Sequence, residues 1–378
     1  MTTPTRAGVV STIITAYNRP VLLAEAVASV LGQSYRPIEI VIVDDGSTDH
    51  TGAVGAGLAA SHPDLVRYIR QENRGPAAAS NAGLRVVTGE FIQFLDSDDL
   101  LAPQKFTQQV AGLRASPECG ISYCQTQEYV MGDRPSGVPS RRTGQALERL
   151  FPALVSGRVW PSPSPLYRRA VIDANGFFVD SSIYQDWEYE CRAAARRVRL
   201  HYCPAVLADV RHTHHLEGRE KGSVTGERLR DYAGVLELMF HHTVHPDVST
   251  RDRDGLAGRL FAAARQCGAG GYPAEARRCL DLALAASGSR RSRRIRWFAV
   301  LVSLVGWPRA DDWCARAGRS SVLASWRVTR RQPAALMALW RHRAAEAAHT
   351  IAGQPLARWP ALLWERWTHR RSRVGAKA

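Results

Sequence analysis

Four short apolar runs, each leading into a different local pattern, constrain this chain more than any other feature. The runs are Val9 to Thr15, Ile38 to Val43, Val66 to Ile69 and Phe91 to Leu95. They are rich in β-branched and aromatic residues, and their length suits buried strands. After the first run Pro20 stands where a helix begins, and Leu22, Leu23, Ala26, Val27, Val30 and Leu31 follow helical spacing. After the second, Ser47-Thr48-Asp49 can cap another helix. Arg74-Gly75-Pro76 opens a third, with Ala77, Ala78, Ala82 and Leu84 on its packing face. Strand alternating with helix predicts an α/β fold, a mainly parallel sheet with helices on both faces.

Two acidic clusters close two of these runs, Asp44-Asp45-Gly46-Ser47 and Asp96-Ser97-Asp98-Asp99. They therefore fall at the carboxyl ends of strands, where open α/β sheets hold their ligands. Carboxylates converging there repel one another unless a cation or a donor-rich ligand lies between them. A hard divalent metal that also holds a phosphate meets that need.

The 378 residues leave room for two or three domains, and 45% hydrophobic composition can build a full core. Seven cysteines with no CxxC pair suit reduced thiols in a cytoplasmic protein better than a disulfide framework or a zinc site. No signal-peptide layout precedes the first strand. No stretch reaches the roughly 20 apolar residues that span a bilayer. Charge divides the chain: residues 251–378 hold 25 Lys+Arg against 8 Asp+Glu, while the preceding 250 are nearly balanced. Eight of the ten Trp follow position 290.

Several segments together resemble the inverting family 2 glycosyltransferases with the GT-A fold. They are Ile13-Ile14-Thr15-Ala16-Tyr17-Asn18-Arg19, Ile42-Val43-Asp44-Asp45-Gly46-Ser47-Thr48-Asp49, Glu72-Asn73-Arg74-Gly75-Pro76, Ala79-Ser80-Asn81-Ala82-Gly83, Gly89-Glu90 and Phe94-Leu95-Asp96-Ser97-Asp98-Asp99. Each alone is weak; in this order and spacing they are specific. The resemblance covers roughly residues 7–225 and implies a Rossmann-like, nucleotide-diphospho-sugar transferase domain over 1–225, with a nucleotide-sugar half (about 7–118) and an acceptor half (about 119–225). It implies that Thr15 and Asp44 lie beside the nucleotide base, and that Tyr17, Asn18, Asp45, Asn81 and Ser97 belong to the donor-binding set. Arg74 at a helix start suits the donor's phosphates. Asp96-Ser97-Asp98 matches the family's DxD motif, so the resemblance gives Asp96 the ribose hydroxyls and Asp98 the divalent cation, Mn²⁺ or Mg²⁺.

Inverting transfer needs a base for the acceptor hydroxyl. By resemblance that base is Asp186, in Tyr184-Gln185-Asp186-Trp187-Glu188-Tyr189-Glu190, where Gln185 replaces the usual preceding acid. The same carboxylate could equally cap the helix that follows. Ser162 to Arg169 with Gly176-Phe177 resembles the family's acceptor wall, with Trp160 and Trp187 as aromatic surfaces for a sugar or, alternatively, as core residues. His212 or His214, in Arg211-His212-Thr213-His214-His215, is the counterpart of a family His that touches metal or diphosphate, set against a solvated loop.

Residues 226–286 form a helical extension, with helices over Leu256 to Cys267 and Pro273 to Ala286 like one tetratricopeptide-type hairpin. Ser287 to Arg296 reads as a Gly/Ser/Arg linker opening a basic, Trp-rich helical tail over 287–378. Arg and Trp on apolar faces suit an anionic membrane surface, as they suit a packed subdomain. No nucleic-acid reader motif is present. The expectation is a cytoplasmic enzyme, peripheral on the inner face of the cell membrane if the tail docks there. It would move a sugar from a nucleoside-diphosphate sugar (UDP or dTDP) to a carbohydrate or lipid-linked acceptor in polysaccharide, glycolipid or glycoconjugate synthesis. Nucleotidyl transfer is disfavoured, because Thr15-Ala16-Tyr17-Asn18-Arg19 has neither a Gly-rich loop nor a Lys. A catalytically inactive scaffold has no need of Asp44, Asp96, Asp98 and Asp186 together.

Overall fold

The computed structural model describes residues 4–140, 142–179, 184–212 and 226–312. The amino-terminal half alternates as expected: β1 (Arg6–Ala16), α1 (Pro20–Leu31), β2 (Ile38–Asp44), α2 (Thr51–Ser61), β3 (Val66–Arg70), α3 (Pro76–Leu84) and β4 (Gly89–Asp96). These four strands pair in parallel in the order β3-β2-β1-β4. Val10, Ile13, Ile14, Val41, Ile42 and Phe91 are fully or almost fully buried, because helices cover both faces of the sheet. Helix α2 starts at Thr51, and Asp49 Oδ1 accepts from the Thr51 N–H at 2.9 Å. The Ser47 hydroxyl, expected as a cap, instead faces the loop after β1.

The next segment adds β5 (Leu100–Leu101), α4 (Lys105–Ala115), β6 (Cys119–Val130), α5 (Ala153–Ser156), β7 (Pro165–Arg168), α6 (Arg169–Asn175), α7 (Gln185–Ala195) and β8 (Arg199–His212). Strand β7 joins β4 antiparallel and carries the sheet on through β6, β8 and β5 to eight strands. The GT-A arrangement implied by the resemblance, a Rossmann-like half extended by mixed strands, is the fold of this chain.

Four helices follow: α8 (Glu227–Thr243), α9 (Thr250–Ala269), α10 (Pro273–Ala286) and α11 (Ser289–Val305). Two expectations are corrected here. Helix α9 begins six residues before Leu256, because Ser249 and Asp252 form a reciprocal capping box ahead of the apolar pattern. Residues 289–296 are helix rather than linker: Ile295 and Phe298 are buried, and Phe298 meets Phe261 of α9 edge-on with centroids 5.1 Å apart. Arg291 also pairs with Asp254 at 3.0 Å. Residues up to Asp311 form one compact unit. Among the described residues no helix is long and apolar enough to cross a membrane.

Candidate active site

Strand register brings the acidic clusters together. Thr15 of β1 pairs with Asp96 of β4 on one side, and Ala16 pairs with Asp44 of β2 on the other. Both clusters therefore flank the carboxyl end of β1. Asp44 is fully buried; its Oδ1 accepts from the Ser47 N–H at 2.9 Å and its Oδ2 from the Tyr68 hydroxyl at 2.7 Å. Asp45 holds the neighbouring loop: Oδ1 accepts from Gln71 Nε2 (2.7 Å) and the Arg74 N–H (2.9 Å), and Oδ2 from the Gly75 N–H (2.8 Å). Asn18 adopts a left-handed backbone at φ 52°, which Asn tolerates better than most residues. It ties the β1 loop to the β2 loop through Ser47 Oγ (3.0 Å) and the Thr48 N–H (2.8 Å). Asn81 exchanges two hydrogen bonds with the backbone of Phe178. Several residues expected to bind donor thus shape the loops instead, while Tyr17 and Arg74 are exposed.

An open cleft lies beside this edge, lined among others by Thr15, Asp96, Arg158, Ser162, Asp186 and Glu190. Asp96 reaches solvent at its mouth. Crowding by protein, then the Asp186 and Asp98 charges, pushes the Asp96 carboxyl up to about 6. Asp99 is raised well above the usual range by burial and by the same neighbours, Asp96 and Asp98. Ser97 is buried in the turn. Asp98 pairs with the Arg19 guanidinium.

Asp186 lies in the first turn of α7, whose first residue is Gln185 with Tyr184 at the cap position, so it is not the helix cap. Its Oδ2 is 3.4 Å from Arg158 Nη1. The same guanidinium grips Glu190 Oε1 through Nη2 (2.6 Å) and Nε (3.1 Å). Glu190 is 2% exposed, and burial raises its carboxyl to about 7 despite the opposing pull of Arg158. Arg158 is raised in turn, because the Glu190 and Asp186 charges outweigh the cost of its burial.

Three expectations fail on geometry. Trp160 and Trp187 are 1% and 2% exposed and present no ring face to a sugar. Trp160 packs on Tyr123 at 5.1 Å, and Trp187 Nε1 donates to the Leu154 carbonyl at 2.9 Å. His212 faces Glu128 Oε2 at 3.3 Å. Adjacent residues of a strand point to opposite faces, and it is Arg211 that reaches Asp98 O and Glu25. His214 lies outside the described residues. Arg158 and Glu190 were missed, since a lone Arg in a loop gives no spacing signal and Glu190 reads as one helical acid among several.

Among the described residues no three His, Cys, Asp or Glu side chains are grouped to hold a metal on their own. A Mg²⁺ or Mn²⁺ shared with a diphosphate needs only one or two protein carboxylates. Asp98, paired here with the Arg19 guanidinium, and the exposed Asp96 could supply that number.

The family model for glycosyl transferase family 2 matches residues 11–173, the span that runs from within β1 past β7 and holds both acidic clusters. The chain carries a family 2 glycosyltransferase domain. An uncharacterised glycosyltransferase of a Nostoc species is 32% identical over 207 residues, covering 53% of this chain and 61% of that protein. Glycosyltransferase GlyG of Streptococcus pneumoniae is 42% identical over 93 residues, covering 24% of this chain and 31% of the relative. The chain thus spans less than two thirds of these curated relatives. Among solved structures, Staphylococcus aureus TarS residues 1–349 in complex with UDP-GlcNAc superposes with a TM-score of 0.60 at 17% identity, over 82% of this chain and 92% of that one. At that identity the likeness is one of fold.

Proposed function

We propose that this chain is an inverting glycosyltransferase that moves a sugar from a uridine or thymidine diphosphate donor to an acceptor hydroxyl of a polysaccharide, glycolipid or other glycoconjugate. The observation that carries this reading is the cleft itself: Asp96, at the end of β4, and Asp186, on α7, line the same cavity. In this reading Thr15 meets the base, Asp96 the ribose and Arg74 the phosphates, while Asp44, fully buried with both carboxylate oxygens bonded, holds the loop beside the base. Asp186 takes the proton from the acceptor hydroxyl as it attacks the anomeric carbon. Asp98 would hold the divalent cation, which when bound neutralises charge growing on the leaving diphosphate. The UDP-GlcNAc bound by TarS makes that donor the first to try.

Membrane association is proposed for α11. Its exposed Trp297, Val300 and Leu304 follow helical spacing, and exposed Arg293, Arg294 and Arg296 lie at the same helix. Apolar side chains flanked by arginines suit an anionic bilayer surface, where each basic charge adds about 1 kcal/mol. Sedimentation with vesicles containing anionic lipid, and not with neutral vesicles, is the expected result.

The transferase reading is tested by thermal stabilisation with a panel of nucleoside-diphosphate sugars, with and without Mn²⁺. A ligand of the native state at 100-fold excess over its dissociation constant adds about 2.7 kcal/mol, so a true donor raises the melting temperature visibly. No shift with any donor would favour a scaffold that has kept the fold without the activity.

A further inference from the structure

The cleft contains a buried charge pair that the transfer chemistry does not itself require. Arg158 comes from the loop between α5 and β7, and Glu190 lies one helical turn beyond Asp186 on α7. Glu190 takes two guanidinium nitrogens on one oxygen, at 2.6 and 3.1 Å, and Asp186 sits 3.4 Å from the third. A guanidinium is a rigid planar fork, so fixing two of its nitrogens fixes the third. Glu190 is almost completely buried, whereas the Asp186 side chain is 37% exposed to the cleft. One carboxylate therefore anchors the arginine and the other is presented to solvent. Removing one partner of a buried charge pair is costly, so neither residue is an idle surface ion.

We propose that Arg158 and Glu190 form a positioning pair for Asp186: Glu190 holds the guanidinium, and the guanidinium holds the Asp186 carboxylate aimed into the cleft. The proposal rests on the reading of Asp186 as the base. Facing this group are Asp96 from β4, Tyr167 from β7, Tyr189 on α7 itself and the Trp160 indole. Of these only Asp96 carries charge near neutrality. Behind them His242 of α8 pairs with Glu188, and Arg259 of α9 covers the Trp187 ring. The Trp160 indole, like Arg158, favours the charged form of Glu190.

The test uses Arg158→Ala, Arg158→Lys and Glu190→Gln in the full chain. UDP release from saturating UDP-GlcNAc with Mn²⁺ gives kcat for each variant, and donor affinity is measured separately. General-base catalysis is worth about 10²–10⁴-fold, so losing the positioning is expected to lower kcat by about tenfold or more. Donor affinity should stay within about twofold, and Arg158→Lys should recover part of the rate. A kcat lowered in Arg158→Ala and Glu190→Gln at unchanged donor affinity, with Arg158→Lys nearer wild type than Arg158→Ala, is not expected from general loosening of the fold, which would weaken donor binding as well. An unchanged kcat in Arg158→Ala or Glu190→Gln overturns the proposal, as does donor affinity that falls in step with kcat. If Arg158→Ala does not fold, an unchanged kcat in Glu190→Gln decides against it. Asp186→Asn, run alongside, separates the two failures. If it retains transfer, the base assignment is wrong; if it is inactive while the other variants behave as wild type, only the positioning pair is wrong.

Discussion

Replacing Asp45 tests whether this acid binds donor or builds the loop that does. It is 5% exposed and accepts three hydrogen bonds, from Gln71 Nε2 and from the Arg74 and Gly75 N–H groups. Hydrogen bonds to a charged group contribute about 1.5–3 kcal/mol each, and a buried donor left unsatisfied costs about 1–3 kcal/mol. Arg74 is exposed and Gly75 and Gln71 are half-buried, so water can replace part of the loss. That puts Asp45→Ala at about 2–4 kcal/mol and Asp45→Asn, which keeps one good acceptor, at roughly half of it. Gly46 reinforces the same contact, since a Cβ there would stand 2.6 Å from the Asn73 nitrogen. Urea unfolding of the three proteins gives the stability differences, and titration with UDP-GlcNAc gives donor affinity. The loop account expects stability and affinity to fall together. Asp45→Ala within about 0.5 kcal/mol of wild type would refute it, and affinity lost at unchanged stability would return Asp45 to the donor-binding set.

Three further outcomes follow from single residues. Burial lowers the fully enclosed Lys105 ammonium from 10.5 to about 8, so the unfolded chain binds a proton the folded chain lacks between those pH values. Stability of wild type relative to Lys105→Met should therefore rise by about 3 kcal/mol from pH 8 to 10.5 in denaturant titrations, and a flat difference would contradict this. Gly89→Ala places a Cβ 2.3 Å from Ser11 Oγ and 2.7 Å from the Val9 carbonyl; because the second is backbone, unfolding free energy should fall by about 1–3 kcal/mol. The Asp96 carboxyl is raised to about 6 by crowding and by Asp186 and Asp98, so its ionisation costs stability that is lost as pH rises through that value. Asp96→Asn should accordingly be more stable than wild type at pH 7 and lose that advantage at pH 4, with donor affinity reduced at both.

The sheet was legible because its strands are buried on both faces and so read as nearly continuous apolar runs, as in Ile40 to Val43. The acidic clusters were legible for a related reason, since each ends such a run. Legibility failed where partners are distant in sequence. Nothing near Arg158 signals that Glu190, 32 positions on, holds it. Tryptophan identity says nothing of exposure, and both Trp160 and Trp187 went to the core. Helix α11 was hidden by its arginines, whose charge masks a helical pattern anchored by Ile295 and Phe298. For His212 the alternation of the strand decided: one residue along, Arg211 took the face towards Asp98.

The most direct test of the account compares Asp98→Ala with Asp186→Asn, measuring UDP-GlcNAc affinity with and without Mn²⁺ and single-turnover sugar release for each. The account predicts that Asp98→Ala loses the metal-dependent part of donor binding. Asp186→Asn should bind donor as wild type does and release sugar at least about 100-fold more slowly, the lower range of a general base's contribution. Equal loss of donor affinity in both variants, or normal turnover in Asp186→Asn, would contradict it.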